Sequence, residues 1–176
     1  NCAYSGDAET YPVPPTGVKI KRLTHSTTDE GIVRGSYDGR RIAYVSEDDN
    51  GVKQVFVIAS DGSDTSEDPN KHPKQITNFT TDAGNVRWHP SDNWLFSISD
   101  GKIYASYVGS GKEFGKAILL TPENLKREAL VVSPDGKMLA YNVLLPDPSA
   151  SRIIDGKEDN EYYQIFVLEL GDGLRL

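Results

Sequence analysis

The amino-acid sequence predicts an all-β protein made of repeated four-stranded antiparallel sheets. An eleven-residue segment that starts at Thr24 returns at Thr77 with seven of eleven positions identical, and a fainter third copy starts at Thr121. Twelve residues after each threonine comes a turn sequence, and strand-like segments rich in β-branched and aromatic residues follow it. Each unit spans about 44 to 53 residues and holds four such segments, which is the period of a β-propeller blade.

The strands of the three units are predicted at equivalent places. One strand ends at each repeated threonine and two strands follow each turn. For three of the four segments of each unit, the expected ranges in chain order are 18–24, 41–46, 54–59, 73–77, 94–99, 102–107, 117–121, 138–144 and 163–170. No helix of useful length is indicated, although residues 123–130 have a pattern compatible with one or two helical turns.

The turn residues favour hairpins between these strands. Asp100-Gly101 lies directly between two expected strands, as in a two-residue hairpin loop, and Asn50-Gly51 ends a slightly longer loop. The turns after the repeated threonines read Ser-Tyr-Asp-Gly at 36–39, His-Pro-Ser-Asp at 89–92 and Ser-Pro-Asp-Gly at 133–136. The middle copy departs from the other two because it lacks the Asp-Gly pair.

These segments carry a resemblance to a known repeat family. The sequences at 133–141 (Ser-Pro-Asp-Gly-Lys-Met-Leu-Ala-Tyr), 38–46 and 54–62 resemble the TolB-type propeller repeat, and Lys-Gln-Ile-Thr at 74–77 resembles the strand that ends a blade. The resemblance covers about residues 18–176 and implies a propeller fold. Because the same repeat occurs in TolB, in prolyl-oligopeptidase-type peptidases and in other exported proteins, it implies no single function.

The sequence divides into an N-terminal tether at residues 1–17, an outer strand at 18–24 and blades at about 25–77, 78–121 and 122–176. Propellers have four to eight blades, so about three four-stranded blades make a partial propeller or half of a six-bladed one. We favour a truncated propeller, because residues 174–176 resemble the start of another strand. The alternative is a homodimer that completes a six-bladed ring, in which each N-terminal strand closes the last blade of the partner.

Composition limits the classes of partner. The net charge of −7 disfavours a nucleic-acid surface, and no apolar run has the length of a membrane-spanning helix. The single cysteine, Cys2, precedes a polar stretch and a proline-rich segment, as at the start of a bacterial lipoprotein. We therefore expect an exported protein, periplasmic or associated with the outer membrane, with Cys2 as a lipid anchor or as an ordinary terminal cysteine.

Five residues are candidates for ligand binding: His25, Asp29, Arg34, Asp82 and Arg87. The Asp and Arg pairs recur at the same place in two blades, where the chain passes from an outer strand to the next inner strand. Charged side chains there are placed to bind a ligand at the mouth of the central channel. The architectural alternative is that each Asp caps a turn and pairs with an Arg to hold neighbouring blades in register.

The sequence predicts no catalytic residue, metal site or cofactor. It has no Gly-x-Ser-x-Gly segment, and its acidic loops at 61–68 and 155–161 lack calcium-loop spacing. We expect a non-enzymatic module that presents channel-face loops to a protein partner or a small polar ligand. Two other functions remain open: a propeller that screens substrates for a hydrolase domain encoded elsewhere, and a propeller that binds or processes carbohydrate.

Overall fold

The computed structural model describes residues 14–147, 149, 152–171 and 174, except for the side chains of residues 157–159. Three antiparallel sheets, here called blades one, two and three, follow one another along the chain, which confirms the predicted fold class. Blade one contains β1 (Glu30–Gly35), β2 (Arg41–Glu47), β3 (Lys53–Ala59) and β4 (Lys74–Gln75). Blade two contains β5 (Ala83–Trp88), β6 (Trp94–Ser99), β7 (Lys102–Tyr107) and β8 (Ala117–Leu119). Blade three contains β9 (Arg127–Val132), β10 (Met138–Pro146) and β13 (Glu161–Glu169), and β11 (Arg152–Ile154) and β12 (Lys157–Asp159) form a separate hairpin.

The strands of blades one and two are ordered as simple meanders, and their hairpins follow the predicted turns. Ser99 pairs with Lys102, so Asp100 and Gly101 form the whole loop, with φ of 48° and 67°. Positive φ at both positions is what a two-residue hairpin needs to match the twist of its strands.

The turn that departs from the repeat keeps the same backbone shape. Asp92 has φ of 58°, close to the 69° and 73° of Gly39 and Gly136 at the equivalent positions. Aspartate tolerates the left-handed region better than most residues. The turn of blade two therefore retains its conformation without glycine, and it gains a carboxylate at that place.

The repeated threonine connects the outer strand to its neighbour. Thr77 and Thr121 are buried, and their hydroxyl oxygens accept hydrogen bonds from the backbone N–H groups of Val55 and Ile103, each at 2.9 Å. Each hydroxyl replaces a backbone acceptor at the point where the outer strand ends, so the buried N–H is satisfied.

The hydrophobic core lies between the blades. Because side chains alternate along a strand, each middle strand has one face toward the preceding blade and one toward the next. All of β6 is buried, since blade two is covered on both sides. The core between blades one and two contains Ala43, Val45, Val55, Val57, Ile76, Ala83, Val86, Trp88, Leu95 and Val108. The core between blades two and three contains Trp94, Phe96, Ile98, Ile103, Ala105, Leu130, Leu139, Tyr141 and Val143.

The far face of blade three is apolar and uncovered. Ile165 and Val167 are 79% and 60% exposed. Their equivalents in blade one are Val55 and Val57, which are 1% and 7% exposed because blade two covers them. We call this surface, formed by Ala140, Asn142, Ile165 and Val167, the open face of blade three.

Two predicted elements differ in the structure. Residues 18–24 belong to no sheet among the described residues, because a strand requires a partner strand for its backbone hydrogen bonds. The segment compatible with helical turns, 123–130, instead leads into β9, which pairs with β10. Tertiary pairing outweighs the weak local helix preference of this stretch. The chain end proposed as a further strand lies largely outside the described residues.

Candidate functional site

The first strands of the blades form the inner surface of the assembly. β1 lies against β5, and β5 lies against β9. First strands of successive blades therefore converge on one side, where a propeller has its central channel. We call the surface made by β1, β5 and β9 the inner-strand wall.

Each strand of the inner-strand wall contains an irregularity. The pairing register shifts within β1, β5 and β9, and a residue with positive φ lies at each shift: Gly31 at 74°, Asn85 at 53° and Ala129 at 56°. Such bulges redirect side chains, and strained residues of this kind concentrate near functional sites. An alanine in this region is uncommon, so the bulge of blade three is imposed by the surrounding sheet.

Arg34 and Arg87 occupy equivalent positions just after these bulges, on adjoining strands. The indole Nε1 of Trp88 donates a 2.9 Å hydrogen bond to the Arg34 carbonyl, which fixes β1 against β5 beside the two arginines. Each guanidinium donates one hydrogen bond inside the chain, to the carbonyl of the preceding residue, at 3.4 Å for Arg34 and 2.7 Å for Arg87. Within the described part of the chain, neither arginine has a carboxylate oxygen within 4.0 Å.

The charge of Arg34 disfavours the charged form of Arg87. Burial lowers the pKa of the Arg87 guanidinium, and the positive charge of Arg34 lowers it further. Both side chains are half-buried, so the repulsion is screened less than it would be on an open surface.

Two other arginines of the fold, Arg41 and Arg127, each donate to more than one acceptor. Arg41 donates to the Val108 carbonyl at 2.7 Å and to the Asp92 carbonyl, and its guanidinium lies 4.9 Å from the centre of the Trp88 ring system. Arg127 is buried and donates to the carbonyls of Gly101 and Glu123, each at 2.6 Å. Arg41 and Arg127 thus donate across blades and loops, although the buried Nε of Arg127 has no partner among the described residues. Within the same part of the chain, Arg34 and Arg87 each donate only to the carbonyl of the preceding residue.

The predicted carboxylates lie at the entrances to the inner strands. The Asp82 carboxylate, just before β5, accepts a 3.1 Å hydrogen bond from the Lys53 backbone N–H. Asp29, just before β1, lines a hollow of about 240 Å³ on blade one, and its buried Oδ1 has no hydrogen-bond partner. Neither aspartate pairs with Arg34 or Arg87, so the Asp–Arg pairs of the architectural alternative are not observed.

His25 is held by the neighbouring loop of blade one. Its Nδ1 lies 2.8 Å from Asp64 Oδ1, and its backbone N–H donates to Asp64 Oδ2 at 2.5 Å. Burial raises the pKa of the Asp64 carboxyl, but the hydrogen bonds from His25 outweigh burial and hold it below its usual value. The pair ties the N-terminal segment to blade one.

The residues that align the blades were not identified from the sequence. The Asp92 carboxylate accepts hydrogen bonds from the backbone N–H groups of Tyr37 and Asp38, at 2.8 and 2.9 Å. His89 Nδ1 accepts from the Ser91 N–H at 3.1 Å, and Nε2 lies 3.1 Å from the Gly136 carbonyl, which indicates the Nε2–H tautomer. In the sequence, the signal that could have identified Asp92 and His89 is the departure of residues 89–92 from the Ser-Pro-Asp-Gly pattern.

The remaining predictions concern Cys2, the N-terminal tether, metal sites and membrane-spanning helices. Cys2 and residues 1–13 of the tether lie outside the described residues. Among the residues that the structure describes, no cluster of three His, Cys, Asp or Glu side chains is placed to hold a metal ion. The same residues contain no helix with the length and apolar character needed to cross a bilayer.

Comparisons with known proteins support the fold. The chain is 33% identical over 150 residues to YidR of Escherichia coli (strain K12), described as an uncharacterized protein, with 78% of this chain and 33% of YidR covered. No protein-family model matches. The crystal structure of TolB from Acinetobacter baumannii is similar with a TM-score of 0.55 and 18% identity, over 84% of this chain and 31% of that one.

The tricorn protease structure is similar with a TM-score of 0.52 and 13% identity, over 78% of this chain and 12% of that one. At these identities the structural likenesses concern the fold alone. The chain spans about one third of the length of YidR and of the TolB structure. The chain is therefore a propeller-type module similar in fold to TolB.

Proposed function

We propose that this chain is a non-enzymatic binding module that presents the inner-strand wall and its adjoining loops to a protein partner or a small ligand. The observation that carries the proposal is the contrast among the arginines. Arg41 and Arg127 are engaged in blade and loop contacts, whereas Arg34 and Arg87 lie half-buried on the wall with unused donors. The remaining guanidinium donors of Arg34 and Arg87 face solvent on a half-buried wall, where they are accessible to a ligand.

The bulges support this function. They interrupt the ladder on every first strand at the same level, and β1 is the most exposed of the three. Irregular backbone beside charged side chains gives a ligand both backbone groups and side chains to bind, while the interblade cores keep the wall rigid.

A ligand panel with a structural readout tests the proposal. The 176-residue chain would be screened by thermal shift against sugars, peptides and small anions, and each stabilising compound would be mapped by hydrogen exchange. We expect protection in β1, β5 and β9. Protection confined to the outer strands β4 and β8, or no stabilising compound, would contradict a binding function of the wall.

The sequence favoured a truncated propeller over a homodimer; we propose the homodimer, in which two copies assemble through the open face of blade three, because this face matches a blade interface already present in the structure. This face uses the same positions that form the interface of blade one with blade two, so it continues an established packing pattern. Blade three has three strands with β13 at its edge, and residues 18–24 are in no sheet. Thr24 is the repeat equivalent of Thr77, and Ile165 is the equivalent of Val55. In the dimer, Thr24 of one copy accepts a hydrogen bond from the Ile165 N–H of the other.

The oligomeric state tests this assembly. Sedimentation velocity of the 176-residue chain is expected to show a dimer that dissociates in Ile165→Glu, because a buried unpaired carboxylate is costly at a blade interface. The matched control is Ile153→Glu, on the separate β11–β12 hairpin, where the side chain is also exposed. If the wild-type chain is a monomer, or if both variants dissociate equally, a second copy does not cover the open face of blade three.

We further propose that the protein is exported and that Cys2 carries a lipid anchor. Support comes from the position of Cys2 ahead of a polar, proline-containing stretch. Expression of the native gene in its host, followed by fractionation and mass spectrometry of the N-terminal peptide, is expected to find an acylated Cys2 in the membrane fraction. An unmodified peptide in the cytoplasmic fraction would refute both export and anchoring.

A further inference from the structure

We propose that Arg34 and Arg87 together bind an oxyanion, a carboxylate or a phosphate group, on the inner-strand wall. This inference rests on the binding function proposed above and specifies the chemical class of its ligand. It is carried by the placement of two equivalent, half-buried guanidinium groups on adjoining strands, neither of which binds a carboxylate in the part of the chain that the structure describes.

The backbone holds the two arginines as a pair. The Trp88 indole donates to the Arg34 carbonyl at 2.9 Å, and Trp88 directly follows Arg87 on β5. Trp88 is itself buried in the core between blades one and two and is stacked by Arg41. The backbone at Arg34 and Arg87 is therefore anchored to a rigid interface.

The local space suits a small group. A hollow of about 200 Å³ lies between β1 and β5, and its lining includes Gly31, Gly84, Asn85 and Arg87. Arg34 does not line it but lies three residues after Gly31 on β1. The two glycines leave backbone without side chains beside the bulges, so an oxyanion can approach backbone N–H groups as well as the guanidinium. Glu30 also lines the hollow, and its carboxylate is bound to the Lys53 ammonium at 2.6 Å.

Charge favours an anion at this place. Two half-buried positive charges on adjoining strands are unfavourable, and the lowered pKa of Arg87 reflects both burial and the charge of Arg34. A bound oxyanion removes the repulsion and uses the free donors. The planar guanidinium fork matches carboxylate and phosphate oxygens, and such charge-assisted hydrogen bonds are about twice as strong as neutral ones. This environment gives no comparable advantage to a neutral sugar or to a cation.

Titration with inorganic phosphate and with succinate, at matched ionic strength, distinguishes the two oxyanion sources. Binding would be followed by the NMR signals of the Trp88 indole N–H and the arginine Nε–H groups. We expect saturable shifts with at least one probe. Arg34→Gln and Arg87→Gln are each expected to weaken binding about tenfold or more, since a hydrogen bond to a charged group contributes about 1.5–3 kcal/mol.

Two further variants make the test specific. Arg40→Gln removes the same charge from an exposed arginine on the first turn and is expected to change binding less than about twofold, as for a surface charge. Arg87→Lys keeps the charge but loses the fork, and an intermediate affinity is expected. The glutamine variants should remain folded, because each one removes a repulsion.

Absence of saturable binding by either probe, or an equal loss in Arg40→Gln, would overturn the oxyanion site. If neutral ligands from the panel protect β1 and β5 while both oxyanions fail, the binding function stands and this inference fails. If no ligand class protects the wall, both fail.

Discussion

Replacement of Gln54 tests how the inner-strand wall is held in place between blades one and two. Its side chain is fully buried in β3 and binds the segment that leads from blade one into blade two. Oε1 accepts from the Thr77 hydroxyl at 2.8 Å and from the Phe79 N–H at 3.1 Å, and Nε2 donates to the Phe79 carbonyl at 2.8 Å. One amide thereby satisfies three polar groups just before β5 begins.

Replacement of Gln54 by Met keeps the length and shape of the side chain but removes its polar atoms. Each buried group left without a partner costs about 1–3 kcal/mol. Phe79 is half-buried, so water satisfies part of the loss. We expect a decrease of about 3 kcal/mol in the free energy of unfolding, which is a large part of the roughly 5–15 kcal/mol typical of a domain.

Urea unfolding followed by the fluorescence of Trp88 and Trp94 measures this change, because both indoles are buried in blade two. The matched control is Gln164→Met on exposed β13, with an expected change within about 0.5 kcal/mol. A loss below about 1 kcal/mol for Gln54→Met, or equal losses in both variants, would refute the reasoning that this amide fixes the passage into β5.

Three further predictions concern blade contacts and pH. Asp92→Gly keeps the left-handed turn but removes two charge-assisted hydrogen bonds to blade one. Urea unfolding should therefore show a free energy of unfolding lower by about 1.5–3 kcal/mol. An unchanged free energy would mean that only the shape of the turn matters. The pKa of Asp64 is held below 3.8 by His25, so the pair stabilises the fold above about pH 3.8 and its contribution disappears as the pH falls through the lower folded-state value. Asp64→Asn should flatten this acid-side dependence in thermal melts, and an unchanged slope would exclude the pair as its cause. Leu139→Ala should lower the free energy of unfolding by about 2–5 kcal/mol, because Leu139 is fully buried. Ile165→Ala, measured at a concentration where the chain is monomeric, should lower it by less than about 0.5 kcal/mol. Similar losses in the two variants would show that the open face is covered within one copy.

The repeat was readable from the sequence because it rests on local chemistry. The strands after each turn are set by alternating apolar residues, and the hairpin at Asp100-Gly101 is set by the positive φ that those residues accept. The threonine positions were found as a repeat, while their role became visible only with the buried N–H groups of Val55 and Ile103. The sequence repeat identifies the threonine positions, but the buried N–H group that each threonine hydroxyl binds lies elsewhere in the chain.

The candidate site was predicted in part. Arg34 and Arg87 were selected for their recurrence, and the structure places them on adjoining strands. The Asp–Arg pairs of the architectural alternative are not observed among the described residues. The register shifts of β1 and β5 lie between the aspartates at the strand entrances and the arginines. A one-residue bulge reverses which face a side chain takes, and no local pattern in this sequence indicated one.

By itself the sequence determined an all-β chain of about three blades, with its turns and strand order, since these depend on residues within a few positions of one another. Tertiary structure decided which arginines stay unpaired, how Asp92 and Trp88 fix one blade on the next, and that Ile165 and Val167 lie uncovered while Val55 and Val57 are buried. The contacts of Asp92 and Trp88 join segments more than 50 residues apart in the chain, and only the packing of complete sheets brings such segments together.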